Sequence, residues 1–201
     1  MKSLQIVAAA VLSVPALATA ATYEIDAAHS SAQFAIKHMM VATVKGEFGK
    51  VSGTINLDDK DLKASGIEAT IDAASINTRN EKRDAHLRSP DFFDVAKFPV
   101  ITFKSTEVKK AGDGKYKVTG DLNMHGVSRS VVLDVVSPKS EVKDPMGNLK
   151  RGATATATLN RKDFGLNWNK ALEAGGMLVG DTVSVTIDLE LTRKEPPTAS
   201  R

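Results

Sequence analysis

Apolar and polar side chains alternate in short runs along most of the chain after residue 20. In Ala32–Lys37, Phe34 and Ile36 share one face while Gln33 and Lys37 share the other. Ile67, Ala69, Ile71 and Ala73 interleave with Glu68, Thr70 and Asp72; Ile101 and Phe103 with Thr102 and Lys104; Tyr116, Val118 and Leu122 with Lys117, Thr119 and Asp121. The longest run sets Val183, Val185, Ile187, Leu189 and Leu191 against Ser184, Thr186, Asp188, Glu190 and Thr192. A period of two puts one face of a strand on a core and the other in water, which predicts antiparallel strands. Eight or nine are expected in one domain, without internal repeats.

The breaks between runs carry turn chemistry. Gly112-Asp113-Gly114 suits the positive φ angles of a tight hairpin, and Pro145–Asn148 marks another reversal. Val44–Leu57 reads as a strand pair or as one bent strand, because its apolar parity shifts across Gly49; a bulge there accounts for the shift. Two segments lack the β period. Thr78-x-x-Glu81 has the form of a capping box, predicting a short helix over residues 79–88. Ser89-Pro90 resembles a second helix start, with Ser as N-cap and Pro following. Residues 161–180 form a long aperiodic stretch, which in a compact domain is functional or hides a short element.

So many one-faced strands must close into a barrel or stack as a sandwich. Ala153, Ala155 and Ala157 occupy the apolar parity of one strand, opposite Thr154, Thr156 and Thr158. Aromatic residues make up only 5% of the chain. Such small inward residues leave a barrel lumen partly unfilled and fit for an apolar ligand. A sheet packed tightly over larger neighbours fits the same periodicity, and the pattern alone does not choose.

The first twenty residues are of another kind. Lys2, the apolar stretch Leu4–Leu17 and Ala18-Thr19-Ala20 follow the order of a secretory leader. The apolar run is shorter than the ~20 residues of a membrane span and is interrupted by Ser13 and Pro15. The expected domains are a signal peptide over 1–20 cut after Ala20, a barrel over 21–194 and a flexible tail over 195–201. The expected location is the periplasm, with no integral membrane span. Cleavage would leave 26 basic against 24 acidic residues, from 27 and 24 in the full chain. That balance gives no footprint for nucleic acid. The absence of cysteine rules out thiol catalysis and thiolate metal sites.

Candidate chemistry is sparse. His29, His38, His86 and His125 form no H-x-H or H-E-x-x-H pair, so no metal site is expected. No Ser lies in a Gly-flanked elbow of the kind nucleophilic catalysis uses, and neither enzymatic activity nor a cofactor is expected. The cluster Arg79, Glu81, Lys82, Arg83, Asp84, His86 and Arg88 reads as a solvated helix face or as a polar gate over a barrel mouth. Phe92 and Phe93 plug a barrel end or line an entrance, and Trp168 serves core packing or ligand contact.

Several motifs resemble the YceI-like family. They are Tyr23-x-Ile25-Asp26-x-x-His29-Ser30, Phe34-x-x-Lys37-His38-Met39, Gly46-x-Phe48, and Arg83-Asp84-x-His86-Leu87-Arg88-Ser89-x-Asp91-Phe92-Phe93-Asp94. Phe98-Pro99, Thr102-Phe103, Gly120-Asp121-Leu122, His125-Gly126-Val127 and Asn160-Arg161-x-Asp163-Phe164-Gly165 follow in order. The resemblance implies an all-β, extended, eight-stranded antiparallel, lipocalin-like barrel with a short helical segment near residues 79–93. It further implies a periplasmic carrier or buffer whose lumen holds a long-chain amphiphilic lipid: a polyisoprenoid, an isoprenoid quinone precursor, a polyprenyl phosphate or a fatty-acid derivative. A homodimer is open to such a protein. The expected ligand-facing set, drawn mainly from strand parity, is Phe34, Ile36, His38, Ile71, Phe103, Leu122, Leu133, Ala155 and Ile187. The mouth segments add Arg83, His86, Arg88, Phe92, Phe93, Phe164 and Trp168. Two alternatives stand beside the carrier: a stress or adhesion module acting through its outer surface, and a lipid head-group enzyme using His86, Asp84 or His125.

Overall fold

The computed structural model describes residues 20–58, 60–173 and 175–194. The expected leader, Ala20 aside, and the expected tail lie outside these residues. The strands are β1 (Ala21–Ile25), β2 (Ser31–His38), β3 (Ala42–Phe48), β4 (Val51–Leu57), β5 (Gly66–Asp72) and β6 (Ile76–Asn77), then β7 (Val100–Gly112), β8 (Lys115–Met124), β9 (Val127–Val136), β10 (Val142–Lys143), β11 (Leu149–Asn160) and β12 (Val179–Arg193). One α-helix, α1 (Glu81–Arg88), lies between β6 and β7.

These strands make an eight-staved, closed antiparallel barrel, because two staves are each broken in two. β1 and β2 both lie on one edge of β12, at Ile25↔Leu191 and Ser31↔Asp188 respectively. β4 pairs with β1 and β3 with β2, so β3–β4 is a single bent stave. Its break at Gly49-Lys50 is the parity shift seen in the sequence. β5, β7, β8 and β9 follow as a meander, and β11 pairs with β12 over residues 150–160, closing the ring. Between whole staves the β9–β11 contact is the shortest of the ring, Asp134–Val136 against Thr154–Thr156. Beyond it the junction is held by Arg129, whose Nε donates to Asp163 O at 3.2 Å.

Two glycines let aromatic rings lie flat on the barrel wall. A Cβ at Gly46 would sit 2.5 Å from the Phe34 ring, and one at Gly120 would sit 2.5 Å from the Phe103 ring. Each ring thus covers a gap on the next strand instead of projecting across the lumen.

The segment between β5 and β7 departs from expectation in detail. Asn80, not Thr78, caps α1, its side chain accepting from Arg83 N at 3.0 Å. Thr78 is buried, and both its N–H and its hydroxyl donate to the buried Asp84. Ser89 starts no second helix; it ends α1, with its hydroxyl on His86 O at 2.7 Å. Residues 90–97 are turns. A helix of eight residues is marginal alone, and α1 is pinned by its neighbours: Arg83 donates to Thr78 Oγ1 and O, and Arg88 to Ala74 O and Ile76 O.

The corner at Asp26–Ser30, where the first stave breaks, is fastened to the barrel. Asp26 N donates to Glu190 O at 2.8 Å, and Glu190 N to Ser30 Oγ at 3.1 Å. Lys150 on β11 bridges Asp26 at 2.8 Å and Glu190 at 2.9 Å. The ammonium group beside Asp26, with His29 second, holds its carboxyl well below the usual carboxylate range. Asp26 first and Glu190 second push Lys150 up to about 12. A lowered carboxylate stabilises the fold above its unfolded pKa of ~3.9, and that stability drains as pH falls toward the folded value. A raised lysine stabilises below its unfolded pKa of ~10.4, and that stability drains as pH rises toward the folded value. Urea unfolding across pH should therefore show a plateau between about pH 4 and 10 with two falling limbs. Lys150→Met should lower the plateau and flatten both limbs; limbs of unchanged slope would show that other groups govern them.

Candidate ligand-binding cavity

The inward parity of each stave converges on an apolar lumen. Its middle holds a cavity of 160 Å³ lined by Ile71 of β5, Phe103 of β7, Leu122 of β8, Leu133 of β9, Ala155 of β11 and Ile187 of β12. Ala153 and Ala157 line it too, so the alanine stripe does face inward. Above it, a cavity of 280 Å³ reaches the mouth, between Ile36 and His38 of β2, α1, the turn at Phe92–Phe93, and Trp168. Phe34, Phe48, Met124, Leu159 and Val185 border both cavities and form the waist between them.

The far end is plugged. Arg151, 3% exposed, donates from Nε to Ser137 Oγ at 3.0 Å and from Nη2 to Ser137 O at 3.2 Å. Its guanidinium lies 5.9 Å from the centre of the Tyr23 ring. The Tyr23 hydroxyl donates to Glu141 at 2.6 Å, and burial first, then this contact, raises its pKa. Only 50 Å³ of space remains there, between Tyr23, Tyr116 and Ile67.

Polar groups gather at the mouth. Arg83, His86, Lys37, His38 and Arg161 border the upper cavity. His86 is hydrogen-bonded through Nε2 to Asp91 at 2.8 Å and meets the Phe92 and Trp168 rings edge to face, at 5.0 and 4.8 Å. Two aromatic side chains and one carboxylate thus fix the imidazole on the rim.

Of the sixteen residues expected to face a ligand, fourteen line one or both cavities. Arg88 and Phe164 are not brought there. Arg88 is spent on the carbonyls of Ala74 and Ile76. Phe164 lies in the 3₁₀ turn Arg161–Phe164, which drives its ring into the hydrophobic core at 2% exposure. The groups named for head-group catalysis do not converge either. Asp84 is turned to Thr78, and His125 sits on Phe98 with Nδ1–H donating to Phe164 O at 3.2 Å.

Arg161 was not among the expected site residues. It is 4% exposed, donating to Gly180 O at 2.8 Å, to Trp168 O at 3.0 Å, to Leu166 O and to Asp181. Burial pulls its pKa down and Asp181 acts against that; a guanidinium stays charged regardless. It ties the aperiodic 161–180 segment into the wall that carries Leu166, Trp168 and Leu178 to the mouth. The sequence signal was its place in Asn160-Arg161-x-Asp163-Phe164-Gly165, at the junction of a strand and a long loop.

Residues 23–191 match the YceI-like domain. The chain belongs to the YceI-like family. Among its relatives, the UPF0312 protein SAS2572 of Staphylococcus aureus (strain MSSA476) is 39% identical over 174 residues, 86% of this chain and 98% of that protein. The crystal structure of the Campylobacter jejuni YCEI protein superposes with a TM-score of 0.66 at 32% identity, covering 79% of this chain and 90% of that one. A polyisoprenoid binding domain from Saccharophagus degradans, implicated in plant cell wall breakdown, has the same fold: TM-score 0.63, 19% identity, 86% and 98% covered. Among the described residues no helix is long and apolar enough to cross a membrane.

Arg161→Met should remove the donors of three carbonyls and one of the two cationic partners of Asp181, which keeps Lys162 at 2.8 Å. A loss of about 3 kcal/mol is expected, the scale for breaking a buried, charged hydrogen-bond set. Trp168 is the only tryptophan, so its emission should shift to the red as the mouth loosens. Unchanged emission with full stability would show that strand β12 alone holds the loop.

Proposed function

We propose that this YceI-like protein binds one long-chain amphiphilic lipid, of polyisoprenoid type, tail in the lumen and head at the mouth, as a periplasmic carrier or buffer. The observation that carries the reading is the two-part apolar cavity, roofed at one end by aromatic and cationic side chains and plugged at the other. The polyisoprenoid-binding neighbour supports the class of ligand, and the leader-like N-terminus supports the compartment. A binding role rather than an enzymatic one is supported by the separation of His86, Asp84 and His125.

The energetics suit a carrier. Each buried CH₂ is worth about 0.8 kcal/mol, so an isoprene unit contributes roughly 3–4 kcal/mol. Three or four units nominally reach nanomolar affinity, near −12 kcal/mol. Longer tails exceed what binding can express, so ordering costs or an exposed end must offset the surplus. Selectivity then falls to the head group. Arg83 borders the mouth with two of its three nitrogens engaged by Thr78, and a guanidinium favours phosphate or carboxylate over a neutral head.

Native mass spectrometry of freshly purified protein, followed by organic extraction, should reveal one lipid per barrel. Protein that is empty and also refuses added isoprenoids and fatty acids would end the carrier reading.

Ala155→Leu tests the cavity itself. Delipidated protein should keep its melting temperature while lipid affinity falls at least tenfold, because the new side chain occupies space meant for the tail. Delipidation matters because bound ligand raises apparent stability by mass action. Thr156→Leu points to the opposite face and should leave affinity unchanged. A barrel filled by its own side chains would instead lose about 1–3 kcal/mol to overpacking by Ala155→Leu.

A further inference from the structure

The hairpin between β2 and β3 ends in Met39-Met40-Val41, and nothing in the barrel requires those residues. Met39 and Met40 both adopt positive φ, 51° and 62°, in a turn closed by Val41 N donating to His38 O at 3.2 Å. Tight hairpin turns of this handedness favour Asn-Gly, since unbranched and branched side chains alike are strained there. The three side chains are 44%, 70% and 82% exposed, and neither cavity counts them in its lining. Met177, 43% exposed, lies beside them: Met39 N donates to Leu178 O at 2.7 Å. Strained backbone that displays bare apolar side chains points to a use outside the fold.

Two observations say what meets the tip. His38 and Val44, on either side of it, border the upper cavity, so the tip stands on the rim of the mouth. Three of the exposed charges next to it are lysines, Lys37 on the rim, Lys45 on the outer face of the hairpin and Lys170 beside Leu178, against the acid Glu173 in the turn that carries Met177. Among the described residues these three have no ion-pair partner, whereas Lys50, Lys104, Lys117 and Lys150 do. A small apolar wedge ringed by free lysines is complementary to an anionic bilayer surface: methionine and valine enter the acyl boundary and ammonium groups meet the phosphates. A second copy fits less well. The wedge exposes on the order of 400 Å², half the ~800 Å² per partner of a stable interface, and two-fold pairing would set like lysines against each other.

We infer that the Met39-Met40-Val41 tip is a membrane-docking wedge that seats the open mouth on an anionic lipid surface. The inference takes its purpose from the carrier reading, since a docked mouth lets a lipid pass between bilayer and lumen without crossing water. Its test does not depend on that reading.

The test is co-sedimentation with vesicles of equal phosphatidylglycerol and phosphatidylcholine, and of phosphatidylcholine alone, with lumen loading followed separately from detergent micelles. Wild-type protein should partition onto anionic vesicles at least tenfold more strongly, with salt weakening it. Met39→Asn/Met40→Gly, which relieves the turn, should cut vesicle binding at least tenfold, leave micelle loading intact and hold or raise the melting temperature. Lys37→Gln should cost roughly fivefold. Met146→Asn, at an 86% exposed methionine in the turn between β10 and β11, should change nothing. Wild-type protein that stays with the supernatant overturns the inference. So does equal loss in Met146→Asn, or a tip variant that keeps its vesicle binding but turns a dimer into a monomer. Vesicle binding by a protein that loads no lipid would sink the carrier and leave the wedge standing.

Discussion

The barrel depends on β12 having to satisfy two strands along one edge. Its other edge is taken by β11 from Lys150↔Thr192 to Asn160↔Thr182. The free edge faces β1 near Leu191 and β2 from Asp188 onward. An unpaired strand edge is costly when buried and adhesive when exposed, so the first stave must bend at Asp26–Ser30 yet stay on β12. Lys150 makes that bend affordable, neutralising Asp26 and Glu190 from the neighbouring strand. The ammonium and both carboxylates are only partly exposed, where water screens them less than at the open surface.

The bend has consequences for the lumen. With β1–β2 and β3–β4 both broken, the β2–β3 hairpin forms its own wall above the waist set by Phe34, Phe48, Met124 and Leu159. A straight eight-stranded barrel of this composition would be just wide enough for side chains to fill. Here alanines at 153, 155 and 157 sit opposite rings laid flat over Gly46 and Gly120. Space survives because the wall residues are small or lie along the wall. The polar layer is thereby confined to the ends: Arg151 with Ser137 below, Arg83, His86 and Arg161 above.

How legible this was in the sequence follows from which interactions are local. Period-two alternation and the turn at Gly112–Gly114 foretold the strands, because pleat and turn geometry are set by neighbours along the chain. The same parity placed Ile71, Phe103, Leu122, Ala155 and Ile187 toward the cavity. Legibility failed where a side chain answers to something distant in sequence. Thr78 looked like a cap from its spacing to Glu81, but Asp84 claims it and Asn80 is nearer the helix start. Arg88 resembled a gate residue until its carbonyl partners at Ala74 and Ile76 were visible. Phe164 missed the lumen because a 3₁₀ turn rotates residues by about 120° rather than alternating them. Arg161 shows the reverse error, since a buried guanidinium organising a loop leaves no periodic trace.

The helix α1 illustrates how function and stability share residues at the mouth. Its eight residues lack an apolar face that would bury them: Glu81, Lys82 and Ala85 are exposed, and Leu87 alone offers a large apolar side chain. What holds it are charges turned onto backbone, Arg83 on Thr78 and Arg88 on Ile76. On its other side His86 meets Trp168 and Phe92 and bonds Asp91, so α1 is fastened on both sides by polar and edge-to-face contacts rather than by a buried apolar face. Local opening draws on elements with few buried apolar contacts and exposed hydrogen bonds. The strands beneath have deep ladders, so opening at α1 leaves the barrel intact. The wall of the lumen is thus held by long strand ladders, and its roof by polar contacts.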